Sequence, residues 1–119
     1  MCVARPAAVS AALSVLCGEV VALSDRVGSC VFVSSASIGG PRVFQSLCAV
    51  LAAAGALEAV VLESLRASGF DGDVNRSPTF VAARVVREGA LEALHCGGLD
   101  CGEVRLWLAR LRDLSRPAF

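Results

Sequence analysis

Helical and extended patterns alternate along the first half of the chain. Apolar residues recur at three- and four-residue spacing through residues 6–23, which predicts a first helix that opens at Pro6. The short apolar and β-branched run at residues 30–33 predicts a buried strand. Pro41 then stands where a second helix opens, and Gly55 is placed to end it.

The second half of the chain contains further short apolar runs. Residues 57–62 predict a second strand, so that a parallel, right-handed strand–helix–strand unit forms. The polar residues 64–77 predict a loop that contains at most one turn of helix. Pro78 then introduces a predicted hairpin, whose strands are residues 79–81 and 84–86.

A final helix begins at Asp100. Glu103 follows three residues later, as in a capping box, and Pro117 stops the helix. Its predicted buried face comprises Val104, Trp107, Leu108 and Leu111. The complete order predicts one α/β domain over residues 1–119, with an N-terminal helix at 6–23 and a core at 30–111 that contains a four-stranded mixed sheet flanked by helices.

Composition narrows the classes of partner. Of the 119 residues 55% are hydrophobic and only 18% are charged, and the formal net charge is +0. A neutral chain has no broad attraction for nucleic acid, whereas its low charge favours association, so we expect protein partners and a place in a large complex. We expect no membrane span, because no stretch approaches the ~20 uncharged apolar residues that a span requires.

The six cysteines are irregularly spaced and form no Cys-x-x-Cys pair. This pattern favours a reduced intracellular protein over a disulfide framework, and it offers no zinc ribbon. We expect a cytoplasmic location, with an organelle or a cytoskeletal assembly as alternatives.

Two segments resemble the glutaredoxin family. Residues 76–81 resemble the stretch in which a cis proline precedes the third strand of that family, and residues 95–100 resemble its Gly-Gly-x-Asp/Ser element. The resemblance covers residues 30–111 and implies a thioredoxin-like fold of the glutaredoxin type.

The chain departs from this family at the redox motif. The residues at the place of Cys-x-x-Cys are Ser37, Ile38, Gly39 and Gly40, and a serine hydroxyl does not become the nucleophile that a thiolate is. We therefore expect no enzyme activity. The serine-rich loop at residues 33–37 is most similar to the redox-inactive Src-homology-3-binding, glutamic-acid-rich-like proteins, which implies an adaptor or scaffold role.

A remnant groove could still hold a ligand. Ser37, Gly39 and Gly40 precede a predicted helix, whose free N–H groups attract a carboxylate or phosphate. The alternative is that the glycines only make a turn and that Ser37 caps the helix.

The remaining groove residues follow from the resemblance. It implies that Ser77, beside Pro78, pairs with a peptide, and that Gly97, Gly98 and Asp100 hold the γ-glutamyl group of glutathione. The alternatives are that Pro78 shapes a sheet edge and that Asp100 is only a helix cap. No cofactor is predicted, and glutathione is the one ligand left open.

Three functional hypotheses follow. The first is a non-catalytic, glutaredoxin-like interaction or structural subunit, and the second is a glutathione- or peptide-binding protein. The third is residual thiol–redox activity at Cys96 or Cys101, which burial of the thiol would argue against. His95 is interpreted as a surface residue and Trp107 as core. The arginines of the last helix form either a solvated face or a docking surface; they are Arg105, Arg110, Arg112 and Arg116.

Overall fold

Four α-helices make up most of the part of the chain that the structure describes. The computed structural model describes residues 7–27, 32–33, 41–69, 72–96 and 99–115. The helices are α1 (Ala7–Val27), α2 (Pro41–Ala67), α3 (Pro78–Cys96) and α4 (Cys101–Ser115). A 3₁₀ turn, Val74–Arg76, precedes α3, and two two-residue strands occur, β1 (Phe32–Val33) and β2 (Leu99–Asp100).

The predicted four-stranded sheet, and with it the glutaredoxin-like thioredoxin fold, is wrong. Among the described residues the only strand pairing is antiparallel, with Phe32 opposite Asp100 and Val33 opposite Leu99. Residues 57–62 lie inside α2, and the predicted hairpin at 79–86 lies inside α3.

Helix α2 continues through the predicted second strand because its core positions keep helical spacing. Successive buried residues are three or four positions apart over four turns: Leu47, Val50, Ala54, Leu57 and Val61. The local run of residues 57–62 suits a strand or a helix, but only a helix places all five on one side. Gly55 therefore lies in the helix interior and does not end it.

Helix α2 ends at a glycine cap, Gly69, which lies fourteen residues after Gly55. Gly69 has a φ of 76°, which residues other than glycine rarely adopt, and its amide donates to the carbonyl of Arg66 at 3.1 Å. The Ser68 hydroxyl also donates to the carbonyl of Leu65 at 2.9 Å. These bonds satisfy carbonyl groups that the last turn leaves without helical partners.

Helix α3 starts where the hairpin was expected because Ser77 and Pro78 form a helix start. The Phe80 amide donates to Ser77 Oγ at 3.3 Å, and the Val81 amide donates to the Ser77 carbonyl at 3.0 Å. Pro78 is the first helical residue, where its missing N–H costs nothing, and the peptide bonds of the described residues are trans. The buried positions again repeat at three and four: Thr79, Ala83, Val86, Ala90 and Ala93.

The first and last predicted helices agree with the structure. Helix α1 begins just after Pro6 and runs four residues beyond the predicted end, to Val27. Helix α4 begins directly after Asp100, and Val104, Trp107 and Leu111 are buried as predicted, whereas Leu108 is half-buried. Alternating four- and three-residue steps along α1 give a seam typical of nearly antiparallel helix packing: Val9, Leu13, Leu16, Val20, Leu23 and Val27.

The helices run alternately up and down. Ala8 at the start of α1 and Ala67 at the end of α2 line the same cavity, and so do Pro78 of α3 and Leu114 of α4. At the other end, β1 pairs with β2 and joins the α1–α2 connection to the α3–α4 connection. Helix α1 packs on α2 and α4, and α3 packs on α2 and α4, so the architecture is an up-down-up-down four-helix bundle measuring 48 × 28 × 19 Å.

An ion pair connects α2 to α3 beside the core. Arg87 Nε donates to Glu58 Oε1 at 2.5 Å, and the two side chains are 34% and 14% exposed. This hydrogen bond, followed by the charge of Glu58, raises the pKa of Arg87 above its ordinary value. The pair adds a polar contact between α2 and α3 beside the buried residues.

Candidate functional site

An open groove runs between α3 and α4. Its upper part has a volume of about 240 Å³ and is lined by Val85, Val86, Glu103, Leu106, Trp107 and Arg110. Its lower part, of about 290 Å³, is lined by Pro78, Val81, Arg110 and Leu114. Arg110 borders both parts, and we refer to the two together as the α3–α4 groove.

The groove exists because each helix carries a second apolar row beside its core row. On α3 this row is Pro78, Val81 and Val85, at three- and four-residue spacing. On α4 it passes through Leu106 and Leu114. The apolar surface of the α3–α4 pair is therefore wider than the bundle core requires.

Gly89 brings the wall of the groove close to α3. A Cβ at this position would lie 2.4 Å from Cζ2 of Trp107, a distance that no real side chain tolerates. The indole thus occupies the space that a side chain at residue 89 would fill. Trp107 is 4% exposed, which agrees with its predicted core role, and it also lines the upper part of the groove.

Large apolar side chains are exposed at the edges of the upper groove. Leu106 is 70% exposed, the highest value among the large hydrophobic residues described, and Val85 is 39% exposed. Complete burial of a leucine side chain is worth about 2 kcal/mol. A partner that covers Leu106 would recover much of that free energy, so the groove is suited to docking.

Two opposite charges flank Leu106 on α4. Glu103 and Arg110 both border the upper groove and are exposed. Seven residues separate them, so they lie about 10.5 Å apart along one side of the helix. Within the described ranges neither side chain forms an ion pair, since the one salt bridge found there joins Arg87 to Glu58.

The structure does not bring the described members of the predicted ligand groove together. Ser77 and Pro78 start α3, whereas Asp100 precedes α4 at the far end of the bundle. The 19 residues of α3 span about 28 Å between them. The other predicted groove residues lie outside the described residues: Ser37, Gly39, Gly40, Gly97 and Gly98.

Of the two cysteines in the redox hypothesis, Cys101 has a buried side chain. Cys101 is 1% exposed at the start of α4, and burial in apolar surroundings disfavours the reactive thiolate. Cys17 and Cys48 are half-buried thiols, and the side chain of Cys96 lies outside the described set. Among the described residues no three His, Cys, Asp or Glu side chains are grouped as metal ligands.

Of the residues predicted from the sequence, Arg110 on the surface of α4 borders the groove, whereas most of the predicted glutathione-binding residues that the structure describes do not. Arg105, Arg110 and Arg112 are exposed as expected, and Arg116 lies outside the described residues. His95 is an exposed residue in the last turn of α3. Sequence reasoning missed Leu106 and Val85. The sequence does contain a signal for Leu106: it lies three residues after Glu103 and four before Arg110. This spacing places an apolar residue between opposite charges on one side of a helix.

Two described helices are long and apolar enough to cross a membrane. They are Ala7–Val27 and Val43–Ala67, with mean hydropathies of 1.9 and 1.8, and 28% and 33% of the respective windows are buried. Core helices of soluble proteins and leader sequences meet the same criterion. The finding weighs weakly against the expectation that no segment could span a membrane.

No protein family, curated protein or solved structure matches this chain. The glutaredoxin resemblance therefore has no support from relatives, and the case for function depends on the geometry described above.

Proposed function

We propose that this protein is a non-catalytic interaction subunit that receives a partner helix in the α3–α4 groove. The observation that carries the proposal is Leu106, which is 70% exposed on the lip of a groove walled by Trp107. Isolated exposed leucines need no explanation, but here Leu106 and Val85 are both exposed and line the same cavity.

The dimensions favour a helix as the occupant. The groove runs from Glu103 to Leu114, which are eleven residues or about three helical turns apart. An amphipathic helix docks in such a groove through apolar side chains spaced three or four residues apart. Arg110 at the centre favours a partner helix that also carries a carboxylate. The formal net charge of +0 leaves no long-range repulsion to oppose association.

The test is site-specific photocrosslinking of the full chain in the cells that produce it. A photoreactive benzoylphenylalanine replaces Leu106, and a matched chain carries it at Leu91, an exposed α3 residue that borders neither part of the groove. We expect discrete adducts from position 106 only, mapped to a partner peptide with helical apolar spacing. Equal adducts from both positions, or none from position 106, would contradict the proposal.

A second candidate function is association with a lipid bilayer through α1 and α2. The observation that favours it is that only 28% and 33% of the two apolar windows are buried inside the bundle. Flotation with neutral phosphatidylcholine vesicles tests this function. Val15→Arg, on the outer side of α1, should abolish flotation, whereas Leu106→Arg should leave flotation unchanged. If the parent chain and the Leu106→Arg chain both fail to float, this candidate function is eliminated.

A further inference from the structure

The arrangement of charges on α4 identifies a specific partner for the groove. We infer that the α3–α4 groove pairs with the same groove of a second copy of this chain, with the two α4 helices antiparallel. This inference rests on the proposed function, since it names the helix that the groove receives.

The two charges that border the upper groove are self-complementary in one orientation only. Glu103 and Arg110 flank Leu106 and Trp107 at equal distances along the helix, so a two-fold axis between residues 106 and 107 places Glu103 of each copy opposite Arg110 of the other. A parallel arrangement would instead place Glu103 opposite Glu103 and Arg110 opposite Arg110, and like charges that face each other disfavour that pairing.

The apolar surface fits the same axis. In the antiparallel pair Leu106 of one copy lies over Val85 and Trp107 of the other, so the most exposed leucine described enters the upper groove. The two charge pairs then lie at the ends of this apolar contact, in the manner of a polar rim around a buried centre. Each copy supplies both the inserted side chain and the groove that receives it.

Sedimentation equilibrium of the purified full chain measures this pairing. We expect a reversible monomer–dimer equilibrium, and Leu106→Arg should weaken the dimer by about a hundredfold, because it places a charge at the centre of the contact. Leu91→Arg is the matched control: it introduces the same residue at an exposed leucine outside the groove and should leave the equilibrium unchanged. Circular dichroism of each variant confirms that the helices are retained.

Charge reversal tests the antiparallel register. Glu103→Arg and Arg110→Glu should each weaken the dimer by about tenfold, since each places like charges opposite each other. The double variant restores both pairs and should regain the parent affinity. An equimolar mixture of the two single variants should form a mixed dimer, in which one chain carries two arginines and the other two glutamates.

The outcomes separate this inference from the proposed function. A purified chain that stays monomeric at all concentrations overturns the self-pairing, and so does a dimer that Leu106→Arg leaves intact or that the double charge reversal fails to restore. If position 106 then crosslinks to another protein in cells, the groove still functions in docking. If it crosslinks to nothing, both proposals fail.

Discussion

Gly89 and Trp107 show how one missing side chain shapes the candidate site. The indole of Trp107 lies where a Cβ of residue 89 would be, and this close approach brings α4 against α3 below the groove. Since interiors are packed nearly as densely as crystals, the indole has little room to move aside. The groove wall thus depends on a glycine in another helix, eighteen positions earlier in the chain.

Gly89→Ala should lower the free energy of unfolding by up to about 2 kcal/mol. Overpacking against Trp107 costs about 1–3 kcal/mol, and the better helix propensity of alanine returns about 1 kcal/mol. Gly18→Ala is the control, because nothing lies within 4 Å of its Cβ position in α1, and it should raise stability by about 0.5–1 kcal/mol. Urea unfolding measures both.

A second substitution checks the cause of the Gly89 effect. Trp107→Leu in the Gly89→Ala background should cost less than Trp107→Leu alone, because the smaller side chain makes room for the new methyl group. If Gly89→Ala stabilises the chain as Gly18→Ala does, Trp107 does not lie against residue 89.

At the scale of elements, which glycine ends α2 decides between a helical bundle and an α/β domain. The strand–helix–strand interpretation requires a helix end at Gly55, whereas the structure continues the helix to Ala67 and turns at Gly69. Gly55 packs beside α3, with 3.9 Å between its Cβ position and Cδ of Arg87. That is an ordinary contact distance, so the site has room for a methyl group.

Gly55→Ala and Gly69→Ala should therefore have opposite effects. Alanine at residue 55 should raise the free energy of unfolding by about 0.5–1 kcal/mol, because it improves the interior of a helix. Alanine at residue 69 should lower it by about 1–2 kcal/mol, because that residue has a positive φ. Thermal and urea unfolding measure both changes, and the reverse order would place the helix end at Gly55.

At the scale of the whole molecule, alternating helix directions bring the two β-strands together at one end. They also place α3 and α4 side by side and antiparallel. The core rows of the four helices use one side of each helix, which leaves the second rows of α3 and α4 adjacent and open to solvent. The candidate site is thus a product of helix order, because distant residues such as Val85 and Leu106 meet only in this bundle.

Backbone chemical shifts distinguish this bundle from the α/β alternative. We expect helical Cα and carbonyl shifts at residues 57–62 and 79–86, which the bundle places in α2 and α3. Residues 104–111 serve as the internal reference, since both interpretations make them helical. Extended shifts at either of the first two segments would contradict the four-helix architecture.

The sequence by itself determined the elements whose local signals and long-range periodicity agree. Pro6 with a regular apolar seam defines α1, and Asp100 with Glu103 marks the start of α4, so both helices were predicted. Exposure of the α4 arginines also followed from the sequence. In these segments the residues at the helix start and the apolar positions favour the same structure.

Only the tertiary structure decided the two middle helices and the groove. Residues 57–62 contain two β-branched residues and residues 79–86 contain four, and locally both segments suit strands as well as helices. Burial against α1 and α4 favours the helix, because it places the core residues of α2 and α3 on one side of each. The exposure of Leu106 likewise depends on its neighbours in space, since the same spacing on a covered helix would be core.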